Sequence, residues 1–173
     1  MRRILSAIDS LSYGASVVGG ISLFLMSVLM LTEVVCRNFL NFSLVFSWEY
    51  SSYLMATAYF FTAAYTLLVR GHVRVGLLAE ALPEKARHPL EVVATAFGLF
   101  ICVYVATAMV NFSYQSFERG ARTFLPSETL LWPPQAIIAI GAVLLSLQIL
   151  ARLVRLLIGD EPDAEAPGSG LPE

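Results

Sequence analysis

Two acids, an amide and a histidine raise the chemical questions in this 173-residue chain. Glu33 and Glu49 stand at the edges of long apolar runs, where a carboxylate facing lipid is costly. Glu33 is followed four residues later by Arg37, and an acid placed four residues ahead of a base is a favourable helical pair. The spacing predicts a structural ion pair, with proton carriage by Glu33 as the competing use. Glu49 sits in "VFSWEYSSYLM" with no base three or four residues away. Its counter-charge is Arg37, Arg119 or Arg122 of this chain, or a basic group on another protein. An acid near a helix start is also favoured by the helix dipole. Gln148 lies within a further apolar run, and a lone amide there predicts an interhelical hydrogen bond.

Catalytic constellations do not assemble around these groups. Cys36 and Cys102 are the only cysteines and form no C-x-x-C, so both read as small packing residues. His72 and His88 share one loop without a metal-ligand spacing, and His72 reads as a polar loop contact. No P-loop, Gly-rich nucleotide turn or nucleophile elbow is present. The sequence predicts no enzyme and no cofactor or metal, and no nucleic-acid partner is expected.

The elements that must position these residues are membrane helices. Hydrophobic residues make up 57% of the chain and charged ones 14%, and the mean hydropathy is +0.72. The apolar residues fall into blocks of about twenty, the length that spans about 30 Å of hydrocarbon. Within lipid the backbone must satisfy its own hydrogen bonds, so such blocks are helices. The fold class is all-α: a four-helix membrane domain over residues 1–158, with helices at about 11–35, 48–69, 90–112 and 133–158. Residues 159–173 are acidic and rich in Pro and Gly, and read as a disordered tail. The first block is too long for the apolar core of a signal peptide, so it is expected to remain as an anchor.

Basic residues set the orientation. Arg2, Arg3, Arg70, Arg74, Lys85, Arg87, Arg152 and Arg155 fall on one side, against Arg37, Arg119 and Arg122 on the other. The positive-inside rule places both termini and the middle loop in the cytoplasm. Trp48 and Trp132 then lie at the outer interface, as in an aromatic belt. The middle loop places Val75, Leu78, Ala81 and Leu82 on one face, which predicts a short interfacial helix ending at Pro83. The first loop, "RNFLNFSLVFSW", is similarly expected to lie along the outer surface. Ser12, Ser16 and Gly20 form a small-residue stripe on the first helix, with Ser52 and Ala56 beyond Glu49 on the second, and small residues allow close helix approach.

The runs "RNF", "FSWEYSSYLM", "LLVRGHVRV" and "LPSETLLWPP", in that order, resemble the small membrane subunit of tripartite ATP-independent periplasmic (TRAP) transporters. The matching positions are Arg37, Trp48, Glu49, Arg70, Gly71, His72, Val73, Val75, Pro126, Trp132 and Pro133, and the resemblance covers roughly residues 10 to 157. The chain departs from the family pattern at Tyr50 and Gly76, where the family often carries acids. The resemblance implies a bacterial inner-membrane scaffold that does no chemistry. It implies two partners: a large multi-helix permease carrying the substrate and sodium sites, and a periplasmic binding protein delivering an organic acid. Uptake would follow from the ion gradient, and Glu33, Arg37, Trp48, Glu49, Arg70, His72, Arg74, Trp132 and Gln148 would be subunit-contact or structural polar residues. Three rivals stand beside it: a small proton-coupled exporter using Glu33, an accessory subunit of another membrane complex, and a four-helix redox enzyme. The last lacks a cysteine pair and intrahelical haem-type histidines.

Overall fold

The computed structural model describes residues 2–69 and 84–158. Four helices form: α1 (Arg2–Phe39), α2 (Ser47–Leu68), α3 (Glu84–Glu118) and α4 (Trp132–Ile158). Three segments, Leu5–Phe39, His88–Glu118 and Trp132–Ile158, are long and apolar enough to cross a membrane. The 22 residues of α2 reach about 33 Å, but its Ser, Thr and Tyr content leaves it less apolar than the other three.

Two helices are longer than the hydropathy blocks. α1 starts at Arg2 rather than near residue 11, because "RRILSAIDS" contains no breaker and a helix need not stop where hydrocarbon does. α3 starts at Glu84 and runs through Pro89. A proline so near a helix start disturbs only the bonds of the turn before it, so the helix survives. The interfacial helix expected within residues 75–82, the residues Arg70, His72 and Arg74, and the tail all lie outside the described residues.

The first loop is not a helix. Residues 40–46 fold as an irregular turn in which the Leu40 and Phe42 amides donate to the Cys36 carbonyl at 3.0 and 3.2 Å. Asn41 takes a left-handed φ of 50°, a conformation that asparagine tolerates better than most residues. Seven residues that must reverse the chain leave no room for a further helical turn. The α3–α4 connection is better ordered. α3 ends in a Schellman cap, with the Ala121 amide on the Ser116 carbonyl, the Gly120 amide on the Phe117 carbonyl and Gly120 at φ 56°. A short antiparallel hairpin follows, pairing Arg122 with Leu130, with Phe124 fully exposed near its tip.

α1 and α2 run antiparallel, as do α3 and α4. α4 is the hub: it packs on all three other helices, whereas α3 packs chiefly on α4 and leaves most of its surface uncovered. Glycine permits the closest approaches. A Cβ at Gly19 would lie 2.7 Å from the Thr62 methyl and 3.1 Å from the Ala58 carbonyl oxygen, and one at Gly141 would lie 2.8 Å from the Phe60 Cβ. The buried stripe of α1 is Ser12, Ala15, Gly19 and Ser22, not Ser12, Ser16 and Gly20. Steps of four rotate about 40° each around a helix, so Gly20 has turned out of the seam, and nothing lies within 4 Å of its Cβ position. On α2, Ser52 is likewise exposed, and Ala56 is half-buried.

Candidate functional site

Polar side chains gather in two layers, one at each end of the bundle. The first joins the α1–α2 turn to the α3–α4 hairpin. Glu33, 2% exposed, faces that turn from the last part of α1. Its carboxylate accepts the Leu44 amide at 2.6 Å and the Ser43 hydroxyl at 2.8 Å, and Arg37 lies 3.7 Å away. Glu33 therefore caps the turn that reverses the chain, and the pairing with Arg37 supplements that cap. Both carboxylate oxygens are engaged by groups of its own hairpin.

Glu49, 5% exposed, projects from the first turn of α2. It accepts the Tyr53 hydroxyl at 2.9 Å and a short hydrogen bond from the Ser127 hydroxyl. It pairs with none of Arg37, Arg119 or Arg122: Arg37 belongs to Glu33, and Arg122 reaches the Glu128 carbonyl at 3.4 Å. The hydroxyls of Tyr53 and Ser127 replace the expected guanidinium, and hydrogen bonds to a carboxylate are the stronger kind. Beside them the Tyr50 and Thr129 hydroxyls approach to 3.4 Å. Glu49 thus latches α2 to the far hairpin. Trp48 is exposed at the start of α2, and Trp132 packs edge-on against Phe117 with ring centroids 5.4 Å apart.

The second layer joins the start of α1 to the end of α4. Gln148, 1% exposed, accepts the Ser12 hydroxyl at 2.9 Å and donates to the Asp9 carboxylate at 3.1 Å. The other Asp9 oxygen meets the Arg155 guanidinium. One helical turn away, Arg152 pairs with Glu91 of α3 at 2.9 Å, and His88 Nε2 lies 3.1 Å from the Leu156 carbonyl. These contacts of α4 are polar and directional and sit beside the buried Ala151 and Leu156, so they fix its rotation against α1 and α3. Asp9, Glu91 and Ser127 escape a motif reading. Asp9 did carry a signal, as the only acid ahead of Glu33. Arg152 and Arg155 read as topology markers, yet each also holds an acid.

Among the described residues no cluster of three His, Cys, Asp or Glu side chains is arranged to hold a metal ion. The fold and its two polar layers define an all-helical, multi-pass membrane protein. A family model described as tripartite ATP-independent periplasmic transporters, DctQ component, matches residues 26–159. That span is well over half of the chain, and the chain belongs to this family, as a small membrane component of a TRAP transporter. The family is one of transporter components, not of enzymes. No curated protein matches the chain.

Proposed function

We propose that this subunit is a static brace for the large permease of a TRAP transporter in the bacterial inner membrane. It also offers part of the surface on which a periplasmic binding protein docks to deliver an organic acid, a carboxylate, for sodium-driven uptake. The observation that carries the reading is where the charges go. Glu33, Glu49, Asp9, Glu91, Arg152 and Arg155 are engaged with partners at the two ends of the bundle. A carrier needs a charged path through its middle, whereas a brace needs its helices locked at both ends. Glu33 in particular is occupied by Ser43 and Leu44, which weighs against a proton-coupled exporter.

α2 is the fourth span in this reading. Its first turn meets the far hairpin through Glu49 and Ser127. Near its end, the Tyr65 ring meets Tyr13 near the start of α1, 5.7 Å between centroids. It therefore runs the length of the bundle, and its polar residues are covered where it faces α1 and α4. The Arg and Lys count places the Asp9 and Arg155 layer in the cytoplasm and the Glu49 layer at the periplasmic side. The test is uptake of a radiolabelled organic acid by cells expressing permease and binding protein with and without this chain. Loss of uptake without it, and its co-purification with the permease, are expected. Full uptake in its absence sinks the brace.

A further inference from the structure

The surface that receives the permease can be located, on the footing that this chain is the brace proposed above. We infer that it is the uncovered face of α3, centred on Tyr104 and Asn111, and that the occupant is a transmembrane helix of the permease carrying hydrogen-bonding side chains at those depths. Tyr104, Thr107 and Asn111 fall within an arc of about 60° on α3, and all three are exposed. The Phe117–Trp132 contact marks the interface level. Asn111 lies about 9 Å below it along the helix and Tyr104 about 20 Å, so the amide is inside the hydrocarbon and the phenol is near its middle.

Lipid tails offer these groups no partner, and polar side chains at such depth face protein or a cavity. The Thr107 hydroxyl satisfies itself on the Val103 and Tyr104 carbonyls at 3.0 and 2.9 Å. No described residue reaches the Asn111 amide or the Tyr104 hydroxyl. The exposed flank of α1 differs. Its hydroxyls at Ser27 and Thr32 bond back to Leu23 and Val28, and its remaining exposed side chains there, such as Phe24 and Leu31, are apolar. That flank suits lipid as it stands. α2 exposes two phenols, Tyr50 and Tyr59; the Tyr50 hydroxyl meets Thr129, and Tyr59 has no amide beside it. α3 also offers relief for a docking ridge: Thr107, Asn111, Val143 and Ser146 line a groove of about 450 Å³ along the α3–α4 seam. Interhelical bonds from Asn and Tyr are an established source of association between membrane helices.

The test is photocrosslinking in native membranes. Benzoylphenylalanine is placed singly at 104, 111, 59, 24 and 31 of the full chain, co-expressed with its permease. Permease adducts from 104 and 111, several-fold above those from 59, 24 and 31, are expected. Asn111→Leu should lower permease recovered with the chain about tenfold, with the chain's own melting temperature little changed, because the Asn111 amide makes no hydrogen bond to any described residue. Adducts from 59, 24 or 31 with none from 104 and 111 overturn this surface and leave the brace standing. Adducts from 104 and 111 to a second copy of this chain overturn it too, as does unchanged recovery of Asn111→Leu. Absence of any adduct together with failed co-purification overturns the brace itself.

Discussion

The Glu49 carboxylate at the start of α2 accepts the hydroxyl of Ser127, 78 residues further along the chain. Ser127 sits on a hairpin whose rungs run from the Thr123 amide to the Thr129 carbonyl and from the Leu131 amide to the Ala121 carbonyl, both at 3.0 Å. A hydrogen bond to a buried carboxylate contributes about 1.5–3 kcal/mol. Ser127→Ala is expected to lower stability in detergent by about that amount and to raise amide exchange at Thr123 and Leu131. Glu49→Gln should do less harm than Glu49→Leu, since the amide oxygen still accepts one hydroxyl and the NH2 group can donate to the oxygen of the other. Equal effects from the two would show that the latch is packing alone.

Close approach at two glycines gives a second expectation. Gly141→Ala drives a methyl against the Phe60 Cβ and the Phe61 ring, where little can give. Overpacking of this kind costs about 1–3 kcal/mol, so the melting temperature should fall. Gly98→Ala is the control, because nothing lies within 4 Å of that Cβ, and it is expected to stabilise α3 by up to about 1 kcal/mol. A loss of stability from Gly98→Ala would contradict the packing described for α3.

The clamp between the start of α1 and the end of α4 predicts coupling. Asp9 joins Arg155 and Gln148 in one network. Asp9→Asn and Arg155→Met should each destabilise the chain, and the double variant should cost less than their sum, by about 0.5–3 kcal/mol. Glu91→Gln, which breaks the separate Arg152 pair, should couple to Asp9→Asn far more weakly. Additive losses throughout would mean that the Asp9 network carries no cooperative energy.

Orientation is open to chemical labelling. With Cys36 and Cys102 replaced, a cysteine at fully exposed Phe124 should react with a membrane-impermeant maleimide added to intact spheroplasts. A cysteine at exposed Leu157 should react only after permeabilisation. The reverse pattern would invert the topology proposed here.

The helices were legible because twenty-residue apolar blocks leave the backbone one solution. Their ends were not, since hydropathy measures hydrocarbon depth while α1 and α3 continue beyond it. The Glu33–Arg37 pair follows from spacing within one helix. The Glu49–Ser127 latch does not, because serine is an unremarkable loop residue until the fold brings it to a carboxylate. Sequence logic sought a cation for Glu49 and overlooked hydroxyls, which satisfy a buried acid without a second charge to desolvate. The α1 stripe was misplaced by one residue because steps of four ignore the drift of the helix.

Because Asp9 and Ser12 close against Gln148 and Arg155, a segment of α1 waits for a helix made more than a hundred residues later. Until α4 is made, the Asp9 carboxylate and the Ser12 hydroxyl lack the partners that Gln148 and Arg155 supply. A chain halted before residue 148 therefore keeps the polar seam of α1 open, where the finished fold has it closed.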